Sequence, residues 1–284
     1  MLIVTIFSGL IVFGMALALF YKGWPILSTH PIQELLLSSS WRPTRGEFGF
    51  YPFIMGTLWV TFLAMVLATP LCLLTSVYLA EYAPSRVRGI IKPMIDLLAG
   101  IPSVVYGMWG VLLVVPLIRD YVAPFVGATT TGYSVLAGGI VLAIMVFPII
   151  ISVSEEVIRA VPHEIREASF ALGATKWQTV KHVVLRSSFP GIIAAIILGF
   201  SRAFGETMAV LMVVGNVSKA PSSLFAPAYP LPALIANNYG EMLSVPLYDS
   251  ALLLSALILL LVVLFFNVMA RIVLSRIKKG FAIG

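Results

Sequence analysis

The chain has 284 residues, of which 60% are hydrophobic and 11% charged, where a soluble domain carries about 25% charged residues. That balance excludes an ordinary soluble domain and points to an integral membrane protein. A single cysteine excludes an internal disulfide, and the three scattered histidines, His30, His163 and His182, have no metal-ligand spacing.

An apolar run of about 20 residues spans a bilayer as a helix, and six such runs follow in chain order, at about 2–20, 54–80, 94–118, 133–153, 190–214 and 250–273. Their apolar character is continuous or helical in period, unlike the short alternating segments of a membrane barrel. The expected fold is therefore all-α, with six transmembrane helices. We divide it into a first helix and external loop (1–53), a core of five helices (54–273) and a cytoplasmic tail (274–284). The first run has no charge before Lys22 and no small-x-small cleavage pattern after it, so it reads as a retained helix.

Cys72 falls inside the second run as a packing residue. In the third, Gly100 and Pro102 interrupt the helix and free a backbone carbonyl. Ser103 and Tyr106 beside this break are candidates for a polar pathway, with Tyr106 four residues beyond Pro102 on the same face. Shaping the packing is the plainer reading of both. Gly191 and Gly199 suit close helix contacts.

Positive charges set the orientation. Arg86, Arg88 and Lys92 follow the second run; Arg159, Arg166, Lys176, Lys181 and Arg186 lie between the fourth and fifth; Arg271, Arg276, Lys278 and Lys279 close the chain. The opposite segments hold only Lys22, Arg42, Arg45, Arg119 and Lys219. Both termini are then expected in the cytoplasm, against the one dissenting vote of Lys22. The net charge of +6 describes membrane flanks and gives no reason to expect a nucleic-acid partner.

The stretch "RAVPHEIREASFALGATKWQTVKHVVLRSSFPG", at 159–191, is the most structured loop. Pro162 suits the first turn of a helix, Glu164 and Glu167 its positive end, and Gly173 its stop. Thr175 and Gln178 have capping-box spacing for a second helix. Ile165, Ala168, Ser169 and Leu172 form one narrow face that fits a groove on another protein. A DNA-binding role is disfavoured because both ends are tethered to the membrane. A helix resting on lipid headgroups competes better, although Ala, Ser and Gly grip lipid weakly.

Arg202 and Glu206 then stand inside the fifth apolar run, where each charge costs roughly 2.5–3.5 kcal/mol. Their spacing of four places them on one helix face, each lowering the other's burial cost. A guanidinium matches a tetrahedral oxyanion, with Glu206 holding Arg202 until an anion competes for it. The alternative is a clamp that only fixes packing.

The segment Glu167-Ala168-Ser169-Phe170-Ala171-Leu172-Gly173, followed after nine residues by Val183-Val184-Leu185, resembles the EAA loop of permease subunits of ABC importers. Ser169 replaces the usual second alanine and Arg186 the usual proline. "GFYPFIMGTLWVT" (49–61), "LAEYAP" (79–84), "GIPSVVYGMWG" (100–110) and "SRAFGETMAVLMVVGN" (201–216) resemble permeases of the phosphate-specific importer, of the PstC type more than the PstA type. The resemblance covers about residues 41–273. It implies the type I importer fold, a prokaryotic plasma (inner) membrane location, and a coupling helix at about 162–188 in which Arg166, Glu167, Ala168 and Gly173 serve the ATPase. The implied partners are a second permease of the PstA type, two PstB-type ATPase subunits holding ATP and Mg, and a PstS-type binding protein that delivers phosphate to loops 21–53 and 215–249. In the phosphate permeases the motif's Arg and Glu, here Arg202 and Glu206, recur.

No G-x-x-x-x-G-K-[ST] occurs, so no P-loop is expected to bind ATP on this chain, and no nucleophile-base pair suggests catalysis. The rival readings are a permease for sulfate or molybdate, a secondary transporter using an ion gradient through Glu206, and, more remotely, a membrane-embedded enzyme.

Overall fold

The computed structural model describes residues 2–241 and 244–281. Among them, six helices are long and apolar enough to cross a membrane: Gly9–Thr29, Tyr51–Tyr82, Ser103–Val126, Val135–Arg159, Lys176–Phe204 and Tyr248–Met269. The last helix continues to Phe281, so most of the expected tail is helical. Residues 282–284 lie outside the described residues.

The fourth span is the axis of the bundle. In its most apolar window 67% is buried, against 33% or less in each of the other five. It packs against the second and fifth spans, and small residues permit the approach. A Cβ on Gly138 would come within 2.6 Å of Val214 and one on Gly139 within 2.7 Å of Leu63. Gly199 and Gly191 face Ile150 and Val157 with no room for a side chain, the close contacts expected of them. Cys72 is buried, its Sγ 3.9 Å from the Phe147 carbonyl.

The first and sixth spans pack on each other at the side of this core. At one end of the bundle an aromatic cluster joins them to the intervening loops. Trp41, on a short antiparallel pair formed by Trp41–Arg42 and Glu47–Phe48, lies 5.1 Å from the Phe53 ring and 6.3 Å from that of Tyr248. A second cluster, Ile158, Val161, Val184 and Ile192, closes the opposite end.

Several spans depart from their expected bounds: the first runs on to Thr29 and not to 20, the fourth to Arg159 and not to 153, and the third and fifth are displaced further. The third begins at Ser103 and not near 94, because Ile101 and Pro102 both adopt extended ψ angles of 129° and 141°; proline disfavours helix in the residue before it. Residues Ser85–Gly100 instead form a separate amphipathic helix lying on the fourth span. The fifth runs from Lys176 to Phe204 and not from 190 to 214. Its first part carries Lys181, His182 and Arg186, which hid it from a hydropathy reading, and it ends at Gly205 before a short helix, Met208–Val213.

Candidate functional site

The break after Phe204 corrects the expectation that Arg202 and Glu206 share a continuous helix face. Arg202 lies in the last turn of the fifth span, while Glu206 has left it. The two still meet. Arg202 Nη1 stands 3.6 Å from Glu206 Oε2, with the arginine side chain 47% exposed and the glutamate 4%. Glu206 Oε1 accepts the Ala209 N–H at 3.2 Å, satisfying one of the open donors at the start of the short helix. The carboxylate thus has one anchored oxygen and one that faces the guanidinium beyond hydrogen-bond distance. Glu206 also borders a cavity of about 10 Å³ lined in part by Thr57 and Thr61, room for about one water.

Tyr106 is buried, and its hydroxyl donates to the Leu98 carbonyl at 2.7 Å. That carbonyl belongs to the last turn before the Pro102 break and also accepts the Ile101 N–H at 3.3 Å, so Tyr106 is its second donor. Ser103 opens the third span at the same break, partly buried. No hydrogen bond joins either to Arg202 or Glu206 among the described residues.

The loop after the fourth span folds as helix, turn, helix. Pro162 is the N-cap of His163–Ala171, one residue earlier than its expected place. Gly173, at φ +82°, is the left-handed stop: its N–H bonds Phe170 O at 2.9 Å, and the Ala174 N–H bonds Ser169 O at 3.2 Å, the Schellman pattern. Nothing lies within 4 Å of a Cβ built on Gly173, so the glycine is required by its backbone and not by want of space. Thr175 and Gln178 form both bonds of a capping box. That second helix has no end of its own; it continues through a π-helical turn at Val180–Val184 into the fifth span.

The face Ile165, Ala168, Ser169, Leu172 is divided. Ser169 is buried, its hydroxyl 2.9 Å from that of Thr179, whereas Ile165 and Leu172 are exposed. Glu167 and Ala168 are exposed with them, Glu167 3.3 Å from His163. Arg166 points the other way. Its Nη2 donates to Glu81 Oε1 at 2.8 Å and to Ile158 O at 3.0 Å, and its Nη1 to the carbonyls of Val161 and Pro162. The pair is 12% and 10% exposed.

Three residues escaped the sequence reading. Glu81 lies in a π-helical end of the second span, Tyr78–Tyr82, 85 positions from its partner. Arg88 donates to the carbonyls of Leu79, Ala80 and Ala83, closing that same end. Glu155, buried, holds Lys92 at 3.4 Å and Arg159 at 3.2 Å. Only the Glu155–Arg159 pair, with its helical spacing of four, left a local signal.

Comparison with known proteins gives concordant findings. Residues 72–279 match the family model described as binding-protein-dependent transport system inner membrane component. The chain is 39% identical over 247 residues to a probable ABC transporter permease protein, YqgH, of Bacillus subtilis, covering 86% of this chain and 78% of that one. It is 37% identical over 278 residues to the phosphate transport system permease protein PstC of Xylella fastidiosa, covering 93% and 85%. Among solved structures, a chain of the inward-facing MetNI methionine ABC transporter superposes with a TM-score of 0.60 at 19% identity, over 78% of this chain and 93% of that one.

Proposed function

The chain belongs to the family of binding-protein-dependent transport system inner membrane components, and from that premise we propose that it is the permease subunit of an ABC importer for inorganic phosphate. It is a multi-pass inner-membrane protein with the type I importer fold. The observation that carries the substrate reading is the Arg202–Glu206 pair: a half-exposed guanidinium at the end of an interrupted span, whose one carboxylate neighbour among the described residues stands at 3.6 Å and engages it with no hydrogen bond. Arg202 therefore has donors left for a tetrahedral oxyanion, and the loose contact to Glu206 lets that anion come and go. Relatives at this level of identity named as phosphate permeases favour phosphate over sulfate or molybdate.

Both termini face the cytoplasm in this reading, and the coupling segment at about 162–188 meets a separate ATPase that holds ATP and Mg. A second permease completes the pathway, and an external phosphate-binding protein delivers to those parts of 21–53 and 215–249 that lie outside the spans. Ile165, Glu167, Ala168 and Leu172 present the exposed face of the coupling helix. Arg166 serves from behind, fixing that helix to the end of the second span. The fifth span then carries motion inward, because one helix of 29 residues joins the capping box to Arg202, roughly 40 Å at 1.5 Å per residue. ATP-driven closure of the ATPases moves the coupling turn, and the same helix moves the pathway arginine.

The test is uptake of phosphate into vesicles that hold the complete complex, with sulfate as competitor. Phosphate should enter only with ATP and be little affected by equal sulfate. Strong sulfate competition would transfer the assignment to another oxyanion, and uptake without ATP would remove it from ABC importers altogether.

A further inference from the structure

Behind the coupling helix lies a cavity of about 330 Å³ between the ends of the second, fourth and fifth spans, with Glu81, Arg159, His163, Arg166 and Lys176 on its walls. The Arg202 site lies at the far end of the fifth span, so the two are separate. The walls differ in how far their charges are spent. Arg166 and Glu81 neutralise one another at 2.8 Å. His163 sits 3.3 Å from Glu167, both largely exposed. Among the described residues Arg159 uses only Nη1, on Glu155, and Glu155 is shared with Lys92. Lys176 has no carboxylate partner among the described residues; its Nζ rests 4.7 Å from the centre of the Tyr82 ring, and a cation over a ring face retains its donors. Arg88, bound to three carbonyls beside Ala80, adds positive charge with no carboxylate of its own among the described residues.

We propose that this cavity is an anion site for a phosphoryl group, with Lys176 and the free Nε and Nη2 of Arg159 as donors. A guanidinium and an ammonium bordering one open cavity suit a tetrahedral oxyanion. Bound there, it ties the end of the fourth span to the start of the fifth across the coupling helix, so its occupancy sets how freely that helix moves. The reading rests on the cytoplasmic placement of the coupling segment, about 162–188, given above. Two sources carry this group to the inner membrane surface: free inorganic phosphate, the product of import, and the headgroup of an anionic phospholipid.

The experiment is thermal melting of the purified complex in nanodiscs, wild type against Lys176→Gln and Arg159→Gln. Neither substitution orphans a buried carboxylate, because Lys176 has none and Lys92 remains on Glu155. With phosphatidylcholine alone, inorganic phosphate should raise the wild-type melting temperature several degrees above equal sulfate if free phosphate is the ligand, and each variant should lose most of that rise. If the headgroup is the ligand, the rise should come from replacing phosphatidylcholine by phosphatidylglycerol and be lost in the same variants. Phosphate bound at Arg202 contributes equally to all three proteins, so the comparison does not depend on import succeeding. Identical responses in wild type and variants would overturn the site. So would loss of ATPase co-purification in Lys176→Gln, because the cavity would then receive the ATPase itself.

Discussion

Two Arg–Glu pairs in this molecule share their chemistry and differ in saturation. Arg166 and Glu81 are both nearly buried, 2.8 Å apart, and the guanidinium also holds the carbonyls of Ile158, Val161 and Pro162. Arg202 is half exposed, 3.6 Å from a buried Glu206, with no other protein acceptor among the described residues. A saturated pair in a closed setting is a rivet, because its donors are already taken and any exchange leaves a buried group unpaired. An unsaturated pair at a helix break can exchange its partner for a ligand. In the proposed reading, the contrast separates the part of the permease assigned to force transmission from the part assigned to substrate.

The largest effect should come from removing the rivet. Arg166→Gln leaves Glu81 buried without its counter-charge, which costs about 3 kcal/mol. Detergent-solubilised protein should melt at a markedly lower temperature, and the double variant with Glu81→Gln should recover only part of the loss, because the hydrogen bonds from Arg166 to the carbonyls of Ile158, Val161 and Pro162 stay lost. Full recovery would mean that charge pairing alone mattered there.

At the loose pair the order of effects reverses, with transport suffering more than folding. Arg202→Gln should cut phosphate uptake per assembled complex by at least about tenfold, equal to ~1.4 kcal/mol of barrier. Adding Glu206→Gln should restore abundance in the membrane without restoring uptake, since neutral amides supply no counter-charge to an anion. Wild-type uptake by a fully assembled double variant would reduce this pair to a packing clamp like the other.

Gly173→Val tests the coupling turn between the two regions. A β-branched residue at φ +82° strains the backbone by roughly 1–2 kcal/mol, and open space around the position removes any clash inside this chain. The spans should stay inserted while pull-down of the ATPase weakens, and Gly173→Asn should fall between the two because asparagine tolerates the left-handed region. The smallest effect belongs to Tyr106, whose hydroxyl already donates to the Leu98 carbonyl and has no proton to spare for a ligand. Tyr106→Phe should lower stability by about 1 kcal/mol and leave the uptake rate unchanged; a selective loss of uptake would place that hydroxyl in the pathway.

Composition and local pattern alone determined the membrane class, six spans, and the helix–turn–helix loop with its Gly173 stop and Thr175–Gln178 capping box. Each of these depends on solvent transfer of a contiguous run or on hydrogen bonds closed within a few residues, so neighbours in sequence carry the whole cause. Span bounds were less legible. Lys181 and Arg186 mask the beginning of the fifth span, and Gly205 to Thr207, lying within an apolar run, conceal its end. Tertiary structure decided the rest: that Ser169 turns inward to Thr179, that Arg166 reaches Glu81 across 85 positions, and that Glu206 meets Arg202 from outside the helix. Those partners are chosen by which spans pack side by side, and the close approach of the second and fifth spans to the small-residue faces of the fourth makes that choice.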